Sequence, residues 1–169
     1  MKSCASRARV GAKAWNLARA ARWGFLAPAG VAVSVSDYRS LMAHQRVASL
    51  VRVVGEIDPE GLSAPETEAQ LLRLREQIAA VEFSETDRAA LRGALQAAGL
   101  FGSRLAVRSS ATGEDGAEQA FAGIHDSVLD VRDFDAVLAA IRHCQASLWT
   151  PQAVAYRRRF AIERRRSGP

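Results

Sequence analysis

The sequence predicts an α+β fold, and three observations point there. Apolar residues recur at helical spacing, as in Thr67 to Val81, where Leu71, Leu74 and Ile78 align on one face. Two strand-like runs, Arg104 to Ser109 and Ser127 to Val131, lie close together in the second half of the chain. Between them sits a loop rich in Gly, Ser and Thr. The chain has 169 residues, which suits one domain of ordinary size, and at 49% hydrophobic and 24% charged it carries the material for a packed core.

The elements follow in order. Lys13 to Trp23 reads as a helix, with Ala14, Leu17, Ala18 and Ala21 near one face and Gly24 ending it. Pro28 and Gly30 mark a turn, and Gly30 to Val35 alternates Val with small residues as a strand does. Ser36 is placed to cap a helix from Asp37 to about His44. Val51, Val53, Val54 and Ile57 suit either strand or helix, and Asp58-Pro59-Glu60-Gly61 is a turn. Ser84 with Asp87 three residues on is close to a capping box, opening a helix that holds Leu91 and Leu95 and stops at Gly99. Asp133 to Leu148 forms a further helix, its apolar side built from Phe134, Val137, Leu138, Ile141 and Leu148. Thr150 and Pro151 supply a cap and a first-turn proline for a short helix through Tyr156. Residues 1–156 are thus expected to form the domain, and 157–169 a solvated Arg-rich tail without periodicity.

The net charge of +5 and a pI of about 10.0 suit acidic partners: nucleotides, nucleic acid or a membrane surface. No acidic residue precedes Asp37. That Arg- and Ala-rich start has the composition of a transit peptide, but Gly11 to Leu17 reads as part of the folded domain. Cys4 and Cys144 are far apart and form neither a disulfide framework nor a metal spacing, as expected of free thiols in a reducing, cytoplasmic compartment. His44, His125 and His143 have no zinc-site spacing, and no apolar run approaches a membrane span.

Chemistry concentrates in Leu105 to Val131. Leu105-Ala106-Val107 leads into Arg108, then Ser109, Ser110, Thr112 and Gly113; Ala120-Phe121-Ala122 leads into Gly123, and Ser127 follows. Open backbone N–H groups, hydroxyl donors and a guanidinium fork are what holds phosphate oxygens. On composition alone, plainer roles stay open. Arg108 could pair with Glu114 or Asp115, Gly123 could be a hairpin glycine, and Ser127 could simply start a strand.

The string Val107-Arg108-Ser109-Ser110-Ala111-Thr112-Gly113-Glu114-Asp115, followed by Phe121-Ala122-Gly123, resembles the ATP-binding domain shared by phosphoenolpyruvate synthase (pyruvate, water dikinase), pyruvate phosphate dikinase and rifampicin phosphotransferase. Gly11-Ala12-Lys13-Ala14-Trp15-Asn16-Leu17 is similar to that family's glycine-glycine-lysine entry, and Pro28-Ala29-Gly30-Val31 with Tyr38 to its Pro-Pro-Gly-Phe strand and following helix. Ala139 to Tyr156 resembles the stretch that comes next. The matches keep the family's order over nearly the whole chain, and the Arg-Ser-Ser-Ala-Thr form leans toward the synthase and the rifampicin enzyme.

The resemblance implies the N-terminal portion of an ATP-grasp type domain, a mixed sheet with flanking helices. It implies a reaction in which ATP is split and a phosphoryl group passes to a histidine on a swivelling domain, then to pyruvate or another acceptor. The histidine domain, the acceptor domain and the magnesium ligands are expected outside this chain, which would make it a truncated ATP-binding module needing a separately encoded remainder. By this resemblance the cofactors are ATP and Mg2+, and Lys13, Arg108, Gly123 and Ser127 are the ATP-binding residues. No residue here matches a family catalytic residue or metal ligand. Ala12 departs from the usual second glycine; were φ positive there, its Cβ would cost roughly 1–2 kcal/mol. Two other functions compete. One is a non-catalytic nucleotide-sensing or partner-binding fragment. The other is a basic nucleic-acid-binding domain, which the motif order argues against.

Overall fold

The computed structural model describes residues 6–58, 61–62, 64–110 and 126–166, with side chains described as far as residue 158. In chain order the elements are α1 (Arg7–Val10), α2 (Ala12–Arg22), α3 (Val35–Ala43), α4 (Gln45–Glu56), α5 (Pro65–Ala80), α6 (Glu85–Ala97), β1 (Leu105–Arg108), β2 (Ser127–Val131), α7 (Phe134–Ser147) and α8 (Pro151–Arg166). The fold is α+β and mostly helical.

Helix α7 is the spine. Its buried face runs almost all the way round, from Val137 and Leu138 through Ala140, Ile141, Cys144 and Ala146. On one side lies a helical core in which Leu71, Leu74, Ile78 and Val47 are fully buried, with Val54, Leu41, Val154 and Ala146 around them. On the other, Val137, Ala140 and Ile141 pack with Leu95 and Val131, and Leu105, Val107 and Val128 of the strands rest on this second cluster. A helix apolar on two sides has to sit between two layers.

Local sequence explains most boundaries. Pro65 opens α5 at its first position, where a missing N–H costs nothing. Ser84 caps α6, its Oγ accepting from the Asp87 N–H at 3.1 Å. Asp133 caps α7 by accepting from the Ala136 N–H at 2.7 Å. Thr150 caps α8 by accepting from the Ala153 N–H at 3.2 Å. Of the ambiguous residues, Val51, Val53 and Val54 belong to α4 and Ile57 caps its end; Val47 and Val54 of α4 are buried seven residues apart, two helical turns.

Three expectations are corrected. Gly30 to Val35 is not a strand: residues 25–34 are irregular and α3 begins at Val35. The Val alternation is real, with Val33 packed on the second cluster and Val31 exposed, but among the described residues no neighbouring strand supplies a hydrogen-bond ladder. The cap of α3 is Ser34 and not Ser36. The Asp37 carboxylate reaches back to the Ser34 N–H at 2.9 Å, so the three-residue spacing to Asp37 sets the start. Finally α8 does not end at Tyr156 but continues to Arg166. Its first two tail arginines are partly buried: Arg157 donates to the Leu148 carbonyl, and Arg158 to the Val54 and Ile57 carbonyls at the end of α4.

Among the described residues the sheet is two-stranded and antiparallel, where a mixed sheet is expected from the resemblance. Leu105 pairs with Val131, Val107 with Val128 and Arg108 with Ser127, and a bulge falls between the first two pairs. The bulge turns Asp130 to φ 58°, and its carboxylate receives Arg104 at 2.6 Å and Arg132 at 3.1 Å. Those hydrogen bonds, Arg132 first and Arg104 second, hold the Asp130 pKa below the usual carboxylate range.

Candidate functional site

β1 ends on Arg108, and its partner across the ladder is Ser127, the first residue of β2. Residues directly opposite each other on antiparallel strands project from the same face with Cβ atoms roughly 5 Å apart. The guanidinium and the hydroxyl therefore leave the sheet side by side, and both residues are exposed.

Helix α7 supports this pair from behind. The Cys144 thiol sits 3.6 Å from the Val107 carbonyl and 3.5 Å from the Asp126 carbonyl, the residues immediately before Arg108 and Ser127. His143 Nε2 lies 2.9 Å from Asp126 Oδ2, and the Ser147 hydroxyl accepts from the Asp126 N–H at 3.3 Å. Burial pushes the Cys144 thiol pKa up; a backbone hydrogen bond at Val128 opposes this, and the Asp126 charge adds to it. The thiol stays protonated and acts as a donor to the strand ends, not as a nucleophile.

The third side comes from the far end of the chain. Gly11 links α1 to α2 with φ 77° and ψ 171°. A Cβ there would fall onto the Ser110 carbonyl and 2.6 Å from Ser110 Oγ. The Ala14 N–H donates to that same Oγ at 3.1 Å. The N-terminus of α2 thus lies against the chain two residues beyond Arg108, and Lys13, the second residue of α2, is exposed there.

Of the four residues the sequence nominates, Arg108 and Ser127 are partners in the ladder, and Lys13 stands at the helix end that touches Ser110. Gly123 lies outside the described residues, as do His125, Glu114 and Asp115. Ala12 opens α2 as an ordinary helical residue and is fully buried. Its backbone does not need positive φ, so the steric cost considered above does not arise; Gly11 carries that demand. Sequence reasoning placed Gly11 in the entry motif but put the positive-φ question at Ala12, and it missed the roles of His143, Cys144 and Ser147. Each of these three acts through a contact with a distant segment, and no local pattern marks it.

Among the described residues there is no group of three or more His, Cys, Asp or Glu placed to hold a metal. None of their helices is long and apolar enough to cross a membrane. Ser110 lies two residues beyond Arg108 and against the start of α2, which carries Lys13; a guanidinium, a lysine, hydroxyls and a helix N-terminus are groups of the kind that receive anions. The fold is thus a mostly helical α+β domain in which the end of a two-stranded ladder meets the N-terminus of a helix.

The sequence profile of the family described as "Pyruvate phosphate dikinase, AMP/ATP-binding domain" matches residues 7–167. The chain belongs to this family of nucleotide-binding domains. It is 34% identical over 163 residues to a rifampicin phosphotransferase of Streptomyces sp, covering 95% of this chain and 18% of that protein. A phosphoenolpyruvate synthase of Aeropyrum pernix is 30% identical over 158 residues, covering 91% of this chain and 19% of the relative. A phosphoenolpyruvate synthase of Escherichia coli (strain K12) is 51% identical over 53 residues, 31% of this chain and 7% of the relative. The chain therefore spans less than a fifth of the length of these relatives.

Proposed function

We propose that the chain is an ATP-gripping module of a phosphoenolpyruvate synthase-like phosphotransferase, built as part of an ATP-grasp type unit and working in the cytoplasm. The observation that carries this is the pairing of Arg108 with Ser127 beside the N-terminus of α2. Arg108 grips two phosphate oxygens through its fork, which cannot lose its charge. Ser127 donates a hydroxyl to the same phosphate tail. Lys13 adds a cation at the helix end, and Gly123 lets the loop backbone approach.

The donor set fits a polyphosphate; it is cationic and hydroxylic, with no carboxylate cluster among the described residues. Magnesium arriving with the nucleotide would neutralise charge between the phosphates. We assign its protein ligands and the phosphoryl acceptor to other parts of the enzyme. The work of this chain is to bind and orient the triphosphate.

Titration of the purified chain with ATP, with and without magnesium, tests the reading. Arg108→Ala removes charge-assisted hydrogen bonds and is expected to weaken binding by roughly 10- to 100-fold. Lys13→Ala and Ser127→Ala are expected to weaken it less, by about 3- to 10-fold. Absence of ATP binding by the wild-type chain would overturn the module, and binding indifferent to all three substitutions would overturn the site. Oligonucleotide binding that falls steeply with salt, without ATP binding, would favour a nucleic-acid role instead.

A further inference from the structure

We infer that Ser110 is a positioning residue for the phosphate site: its hydroxyl caps the N-terminus of α2 across the fold and so fixes where Lys13 stands relative to Arg108. The inference rests on the ATP-binding reading above and adds to it a residue that grips nothing by itself.

The need for such a cap is visible in α2. The first N–H groups of any helix lack partners within it, and a Ser, Thr, Asp or Asn just before the helix normally supplies one. The residue before α2 is Gly11, which has no side chain and makes no cap bond. No acidic residue stands in the first turn either. The Ala14 N–H, third in the helix, is the group that an N-cap hydroxyl would normally reach. Here it is reached by Ser110 Oγ at 3.1 Å, 96 residues further along the chain.

The fit leaves no slack. Gly11 approaches the Ser110 backbone so closely that even a methyl group would overlap its carbonyl. The contact is therefore set on both sides, by backbone approach at Gly11 and by the hydrogen bond at Ala14. Ser110 follows Arg108 by two residues, and Ala14 follows Lys13 directly. One hydroxyl thus ties together the two chain segments that carry the site's cations. A triphosphate is a short rigid target, and cations held at a fixed spacing lose less freedom on binding it than cations that must be brought together.

The test uses the full chain and five variants: Ser110→Ala, Ser110→Cys, Ser110→Thr, Lys13→Ala and the double variant that combines Lys13→Ala with Ser110→Ala. Residue-resolved amide exchange is followed at Ala14 without nucleotide, and ATP affinity is measured alongside. Loss of the hydroxyl is expected to speed exchange at Ala14 at least fivefold and to weaken ATP binding about five- to tenfold, with Ser110→Thr restoring both to within about twofold. Ser110→Cys fills the same space with a poor acceptor, so it gives the same answer should Ser110→Ala fail to fold. In the Lys13→Ala background the Ser110 effect on ATP is expected to shrink below about twofold, since the residue it positions is gone. Unchanged exchange at Ala14 would overturn the cap. An ATP loss that persists undiminished without Lys13 would overturn positioning and make Ser110 a direct phosphate contact. Wild-type protein that binds no ATP would defeat the functional reading and the positioning role with it, while the exchange data still report the cap.

Discussion

Replacing Gly11 with alanine is expected to destabilise the fold by roughly 1–5 kcal/mol, whereas the neighbouring change Ala12→Gly destabilises it by removing a methyl instead of adding one. At φ 77° and ψ 171°, Gly11 occupies backbone space that is almost closed to residues with a Cβ. Holding alanine there costs about 1–3 kcal/mol. The added methyl also meets the Ser110 carbonyl, which belongs to backbone tied to the end of β1 and cannot swing away as a long side chain would. Forcing such a contact adds about 1–3 kcal/mol, and the lower entropy of the unfolded alanine chain gives back somewhat less than about 1 kcal/mol. For a chain of this size each kcal/mol moves the midpoint by about 2–4 °C, so thermal unfolding followed by circular dichroism is expected about 2–20 °C below wild type. Ala12 is helical and fully buried, so Ala12→Gly removes a packed methyl and loosens the first turn. Together these cost roughly 1–2 kcal/mol. A stabilising Ala12→Gly beside a neutral Gly11→Ala would refute the assignment of the strained position to Gly11.

Other perturbations probe the rest of the fold. Leu74→Ala empties a fully buried position between α4, α5 and α7 and is expected to cost about 2–5 kcal/mol in urea unfolding with little change in the m-value. Arg142→Ala removes donors to the Val81 carbonyl at 2.8 Å and to Gln145 Oε1 at 2.8 Å, and a guanidinium stacked 3.7 Å over Phe83; the expected loss is about 2–4 kcal/mol by denaturant titration. Alkaline pH is expected to weaken the fold. Burial raises the pKa of both Cys144 and Tyr38, so the folded state holds these protons more tightly than the unfolded chain does. Their contribution is complete below the unfolded values, about 8.5 for a thiol and about 10 for a phenol, and is lost as pH rises through the folded ones. Denaturation midpoints across that range are expected to fall, and Cys144→Ala is expected to remove the lower part of the fall.

The parts of the fold legible in the sequence are those whose causes are local. Leu71, Leu74 and Ile78 announce α5 by spacing, Ser84 with Asp87 announces the start of α6, and Thr150 with Pro151 announces α8. The missed features have distant causes. Gly30 to Val35 has a strand's alternation but no partner strand among the described residues, and a ladder is a property of two segments. The extent of α8 past Tyr156 is not written in an apolar stripe; Arg158 there hydrogen-bonds the last carbonyls of α4, a contact only the packed fold provides. The site divides in the same way. Arg108 and Ser127 are readable as residues at strand ends, but their register is not, because the bulge at Asp130 shifts the pairing.

Helix α7 joins stability to function. Its Ala146 lies in the helical core and its Val137, Ala140 and Ile141 in the cluster beneath the strands, while His143, Cys144 and Ser147 hold the chain at Asp126 and Val107. The residues that fix Arg108 and Ser127 are therefore carried on the most buried element of the fold. On the other flank, α2 is fixed to Ser110 through Gly11 and Ala14, by backbone groups and one hydroxyl. The named contacts end on backbone groups, on Asp126 and on Ser110, so the strand ends and the helix start are placed by packing, a buried thiol, two serine hydroxyls and the His143–Asp126 pair. Each of these contacts joins segments far apart in the chain, and no spacing within α7 announces it, which is why Cys144 and Ser147 are inconspicuous in the sequence.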